Sequence, residues 1–145
     1  MSTLSLYDRD FYAWTQEQAR LIKEKAIDQL DLVHLLDEVE SMGASERREL
    51  VNSLTILLMH LLKWKYQPSR RGMSWELTIR EQRLEVKDVL FDNPSLKSLI
   101  DQAVVNSYSK AILKAAKETR LSPNAFPTCC EWTINQVLDD EFFPH

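Results

Sequence analysis

The chain has 145 residues, 44% hydrophobic and 28% charged, with two glycines and five prolines. That is enough chain for one domain with a real core, and the composition is globular rather than disordered. The scarcity of glycine argues against a hairpin-rich β fold and against glycine-rich phosphate loops, and a net charge of −4 gives the whole molecule no general affinity for nucleic acid.

The first helix is expected from Asp8. Asp8 suits an N-cap, Tyr7 and Tyr12 fall at the flanking staple positions, and Phe11, Trp14, Gln18, Leu21 and Ile22 recur at helical spacing before the pattern loosens near Ile27. A second helix starts at Asp31, with Leu30 and Leu35 as its staple pair. Leu32, Leu35, Leu36, Val39 and Met42 make one apolar stripe, and Gly43 is read as the residue that ends it. Ser45 then caps a third helix running from about Glu46 to Tyr66. Its Leu50, Val51, Leu54, Leu57, Leu58, Leu61 and Leu62 cover a wide arc, and Ile56 and Met59 extend it, so this helix is central. Pro68 stops it.

Ser74 is read as the cap of a fourth helix, in which Trp75, Ile79, Gln82, Val86 and Leu90 form an inward stripe with one polar member, Gln82. A buried amide must find partners, and one such residue can fix helix register. Asn93 with Pro94 at the first helical position opens a fifth helix that presents Leu96, Ile100, Ala103, Val104, Ser107, Tyr108 and Ala111 and fades near Thr119. SPNAFP, residues 122–127, is a turn-rich connector. Thr133 and Gln136 fit a capping box, and Trp132 and Val137 its staple, for a short last helix from about Ile134 to Asp140. Phe142 and Phe143 should dock the tail. No stretch alternates strictly with β-branched residues. The reading is all-α: a single-domain bundle over 1–145, with five main helices and a short sixth.

Charge is uneven. Between His60 and Arg83 six bases (Lys63, Lys65, Arg70, Arg71, Arg80, Arg83) stand against Glu76 and Glu81, whereas Asp28 to Glu40 holds five acids and no base. The plain interpretation is that such runs face one another or face water. Cys129 and Cys130 are adjacent and are the only cysteines, which rules out a disulfide framework and a CxxC metal knuckle. The start, MSTLSLYDRD, has no basic segment leading into an apolar core, and the longest apolar run, Ile56 to Met59, is far too short to span a bilayer. A cytoplasmic protein without membrane partners is expected.

The segments YDRDFYAWTQEQARLI, LLDEVESMGASERREL, LLMHLLKWKYQPSRRGMSWELTIREQR and FPTCCEWTINQVLDDEFFP together resemble the bacterial family catalogued as Domain of Unknown Function 29, over nearly the whole chain. The central segment is the specific part. The resemblance implies a small helical bacterial protein of about this length and supplies no activity. Gly72 and Met73 stand where the family has polar residues, and Cys129-Cys130-Glu131 where a Cys-Pro pair is usual; neither departure touches a proposed chemistry.

Two constellations are candidate sites. The first is His60 with Asp37, Glu38 and Glu40. If the second and third helices return antiparallel about Gly43, His60 lies about 20 Å from the turn, at ~1.5 Å per residue, and the acids near the turn meet Arg47 and Arg48 instead. Asp28 or Asp31 would then be its nearest acids. That leaves His60 as a weak acid–base candidate, with no metal set. The second is Trp64, Gln67, Arg70, Arg71, Trp75, Arg80 and Arg83. Guanidinium forks suit carboxylate or phosphate, and indole faces attract them. As structure, this is an interhelix network paired with the acids of the second helix and with Asp139, Asp140 and Glu141. As function, it is an anion or nucleic-acid site, or a Trp/Arg-rich protein interface.

No nucleophile–base pair is legible: Ser53, Ser69 and Ser74 have no local His, and nothing cationic adjoins the cysteines. No catalytic residue and no cofactor is assigned. The leading function is a non-catalytic helical interaction module, a homo-oligomer or a binder of another protein. A nucleic-acid or phosphate binder using Arg70, Arg71, Arg80 and Arg83 is the alternative, and an enzyme acting through His60 the second.

Overall fold

The computed structural model describes residues 5–145. Residues 1–4, the beginning of the segment read above as carrying no leader, lie outside them. The described residues form six α-helices and no strand: α1 Leu6–Arg9, α2 Phe11–Lys23, α3 Leu32–Tyr66, α4 Met73–Asp92, α5 Ile100–Thr119 and α6 Ile134–Leu138. The protein is all-α, as its periodicity predicts. No helix among the described residues is long and apolar enough to cross a membrane. The chain divides into two compact units, residues 1–44 and 45–145.

In the first unit the helix starts differ from expectation. Ser5 caps α1, its Oγ accepting from the Asp8 backbone N–H, and Asp10 caps α2, its carboxylate accepting from the Ala13 N–H at 3.0 Å. Asp8 therefore sits inside α1, and the cap of the long helix is the second aspartate of the Asp-Arg-Asp run. Lys25 takes φ 59, a left-handed residue at the end of α2. Asp31 caps α3 as expected, accepting from the His34 N–H at 3.3 Å.

The larger correction concerns Gly43. Residues 32–66 form one α-helix, and the tight turn and antiparallel return expected at Gly43 do not form. No glycine takes a positive φ. Glycine there costs a helix about 1 kcal/mol, but Glu40, Met42, Ala44, Glu46 and Arg47 around it are good helix formers and no proline interrupts them, so the helix runs on. Ser45 is an interior residue, not a cap.

The second unit holds the core. Leu50, Leu54, Leu57, Leu58 and Leu61 of α3 are fully buried against Ile79, Val86, Val89 and Leu90 of α4 and Ala103, Tyr108, Ala111 and Ala115 of α5. Each such leucine contributes roughly 1.5–3 kcal/mol relative to exposure. On α5 the residues Ala103, Ser107, Ala111, Ala115 and Thr119 are all buried and fall every fourth position, a ridge of small side chains that lets another helix approach closely. The α4 helix starts at Met73 on an extended Gly72, one residue before the expected Ser74 cap. Pro94–Leu99 is 3-10 rather than α-helical, so α5 begins at Ile100; Asn93 ends α4, its amide donating to the Val89 carbonyl and to Glu46. The Thr133–Gln136 capping box forms in both directions. The tail docks, with Phe143 against Trp64 at 4.9 Å between ring centroids.

Candidate functional site

Three of the central Trp/Arg residues, Trp64, Arg71 and Arg83, hold the carboxy-terminal segment down. Arg83 is 0% exposed. Its Nε donates to the Val137 carbonyl at 2.8 Å, Nη2 to the Phe142 carbonyl at 2.6 Å and Nη1 to the Asp140 carbonyl at 3.4 Å, and its Cζ lies 5.3 Å from the Phe143 ring. Burial pulls this guanidinium below its ordinary pKa, opposed by the charges of Asp140 and Asp139; it stays charged, because an arginine starts far above neutrality. Arg71 donates to the Trp64 carbonyl at 2.7 Å and the Pro144 carbonyl at 3.3 Å, and stacks on the Trp64 ring at 5.3 Å. Gln67 donates to the Thr119 carbonyl.

Trp75 carries the Lys63 ammonium at 4.6 Å from its ring, and Lys63 also pairs with Glu118. Arg80 pairs with Glu76 one turn back on the exposed side of α4. Arg70 is exposed in the short 3-10 turn after α3.

The acids expected as arginine partners are used otherwise. Asp140 takes Lys87 at 3.1 Å, and Arg71 and Arg83 bind backbone carbonyls instead. The buried polar residue of α4 is Arg83, whereas Gln82 is half-buried. Spacing carries that signal: Trp75, Ile79, Arg83, Val86 and Leu90 keep the stripe as regularly as the Gln82 version.

His60 is half-buried, its Nδ1 donating to the Ile56 carbonyl at 2.9 Å. Burial pushes its pKa down, so the ring is neutral near pH 7. Among the described residues no group of three His, Cys, Asp or Glu side chains is placed to hold a metal ion. Cys130 has its thiol pKa raised by burial, which disfavours the thiolate, and Cys129 is exposed.

A different feature of the first unit presents a surface. One side of the opening turns of α3 is tied to α1 and α2. Trp14 Nε1 donates to Asp31 at 2.9 Å, the Asp31 N–H donates to Gln18 at 2.8 Å, and His34 Nδ1 meets the Asp31 carboxylate at 2.7 Å. Tyr7 stacks on His34 at 4.0 Å and donates to Glu38 at 2.5 Å, a bond that pushes its pKa up to about 12.

The opposite side is bare: Leu32, Val33, Leu36, Val39 and Met42 are 57–72% exposed. At about 100° per residue, Leu32, Leu36 and Val39 share one direction along α3. Leu50, Leu54 and Leu57, of the same helix but in the second unit, are by contrast fully covered. The wheel pattern predicts this stripe; its exposure among the described residues goes with α3 running on through Gly43 instead of turning back.

The family model described as Domain of unknown function DUF29 matches residues 6–143. No curated protein and no solved structure matches the chain.

Proposed function

We propose that this chain, which belongs to the DUF29 family, is a non-catalytic helical interaction module that self-associates through the bare face of α3. The observation that carries the reading is the exposure of Leu32, Leu36 and Val39 along one side of α3, flanked by the exposed Val33 and Met42, while Asp31, His34 and Glu38 are tied to α1 and α2 on another. Contiguous apolar surface of this kind marks interaction sites. Among the described residues of the 44-residue unit that bears it, the large apolar side chains buried are Trp14 and Leu21, a small core for that length of chain.

A second copy is the occupant this reading commits to: the first unit carries charges of both signs, nine acids against four bases, so two copies can set Lys23 or Lys25 of one beside an acid of the other. Two free thiols are in keeping with a reducing, cytoplasmic setting.

Sedimentation velocity at tens of micromolar tests the reading. A dimer is expected for the native chain and a monomer for Leu36→Glu combined with Val39→Glu, with helicity retained. A native chain that stays monomeric throughout defeats it. The nucleic-acid reading has less support, since Arg71 and Arg83 are engaged with backbone carbonyls. The His60 enzyme reading has less still, because that ring has neither a carboxylate partner nor a metal set among the described residues.

A further inference from the structure

A groove of about 650 Å³ runs between α3 and α5 in the second unit. Arg47 and Arg48 of α3 and Lys110 of α5 border it. None of the three enters an ion pair among the described residues. Asn52, Gln102 and Asn106 add amides that both donate and accept, and the Gln102 amide is already oriented by its bond to Asn106 at 3.0 Å. Val51, Leu99 and Ala103 supply an apolar floor. Among the described residues no carboxylate lines the groove.

In an acidic protein, three free cations gathered around one cavity are an electrostatic trap for an anion. Lys110 lies about 12 Å along α5 from Gln102, at ~1.5 Å per residue, so the positive charge is spread over the length of the groove rather than focused at one point. The volume falls within the range of small-molecule sites, and guanidinium forks suit phosphate oxygens. The amides offer hydrogen bonds to sugar hydroxyls or to the edge of a heterocycle, and the floor offers contact area to a planar body. Arg48 also borders a neighbouring groove that carries Glu49, Glu81 and Glu85, which draws on its charge. The anion therefore leans chiefly on Arg47 and Lys110.

We propose that this groove binds a small phosphate ester of nucleotide size, held between the cations Arg47 and Lys110 with its apolar contacts on Val51, Leu99 and Ala103. The site lies outside both the bare face of α3 and the Trp/Arg corner, and it stands whether the chain is a monomer or a dimer.

Amide chemical-shift titration at low salt with ADP, with pyrophosphate and with a short single-stranded oligonucleotide tests it. ADP is expected to bind saturably and to shift the amides of Arg47, Asn52, Gln102 and Asn106, with pyrophosphate several-fold weaker. Arg47→Ala and Lys110→Ala, both at exposed positions that should leave the circular dichroism unchanged, should each weaken ADP by about tenfold, the loss of one charged contact. Arg80→Ala should leave it unaltered. No shift at millimolar ADP, shifts centred away from the groove, pyrophosphate as tight as ADP, or either variant binding like the native chain overturns the proposal. So does an oligonucleotide bound more tightly than ADP, which would make the groove a strand track.

Discussion

Arg83 Nη2 donates to the Phe142 carbonyl at 2.6 Å, joining two residues 59 positions apart. The same guanidinium reaches Val137 and Asp140, so one side chain of α4 fixes the exit of α6 and the tail beyond it. A planar fork does this well: its donors diverge to meet one carbonyl in the last turn of α6 and two in the tail beyond it. Replacing Arg83 by Met removes the donors and strands the acceptors. The expected cost is roughly 2–5 kcal/mol in urea denaturation. Arg83→Lys should recover less than half of it, since one ammonium cannot span the three carbonyls. Because Phe143 packs on Trp64, tryptophan emission and amide exchange at residues 140–145 should report the released tail. A native-like midpoint for Arg83→Met would show the clasp to be dispensable.

At Gly43 the sign of one substitution separates two backbones. In the observed helix an added Cβ meets nothing within 4 Å, and the φ is not left-handed. Gly43→Ala should therefore stabilise the chain by about 0.5–1 kcal/mol, the ordinary helix-interior difference. Were Gly43 a left-handed helix stop, the same change would destabilise by about 1–2 kcal/mol. Thermal melts of the two proteins decide the sign.

Leu36 and Leu54 both belong to apolar stripes of α3 but meet different surroundings, one 57% exposed and one 0%. Leu54→Ala should cost about 2–5 kcal/mol at any protein concentration. Leu36→Ala should cost under about 0.5 kcal/mol in dilute samples. At concentrations where the chain self-associates, it should lower the melting temperature further, because burial there comes from the second copy. Equal losses at Leu36 and Leu54 in dilute solution would mean that both stretches are covered within one chain.

What could be read from residues alone followed how local the signal was. The Thr133–Gln136 box and the Asp31 cap are complete within a few residues and formed as expected. The Leu50–Leu62 stripe was legible because burial over several turns leaves a clear period. A glycine after an apolar stripe fits a helix end and a tolerated helix interior equally well, and Ser45 two residues on has the chemistry of a cap that the continuous helix does not use. Arginines clustered near the central turn were visible, but their partners were not: carbonyls occur at every residue, so sequence cannot say which of them a guanidinium will find. The bare face of α3 was legible as a stripe and illegible as a surface, since its exposure depends on what the rest of the chain fails to cover. The groove between α3 and α5 has residues far apart in sequence and no motif to announce it.

The His34–Asp31 pair predicts a pH window for the first unit. The hydrogen bond to Asp31 is the main cause that raises the His34 pKa above its ordinary 6.5, and the bond from His34 is the main cause that lowers Asp31 below 3.8. A raised histidine adds stability that is fully present below 6.5 and is lost as pH climbs through the raised value; a lowered aspartate adds stability present above 3.8 and lost as pH falls through the lowered value. The pair thus favours the folded unit most between those limits and fades on the alkaline side first. His60, whose pKa is depressed, works in the opposite sense, so the comparison must isolate His34. The native chain should lose melting temperature from mildly acid to mildly alkaline pH relative to His34→Gln, and the His34 ring resonances should titrate above 6.5. A His34 that titrates below that value, or a variant with the same pH profile as the native chain, would remove the pair from the account of how α3 is held at its start.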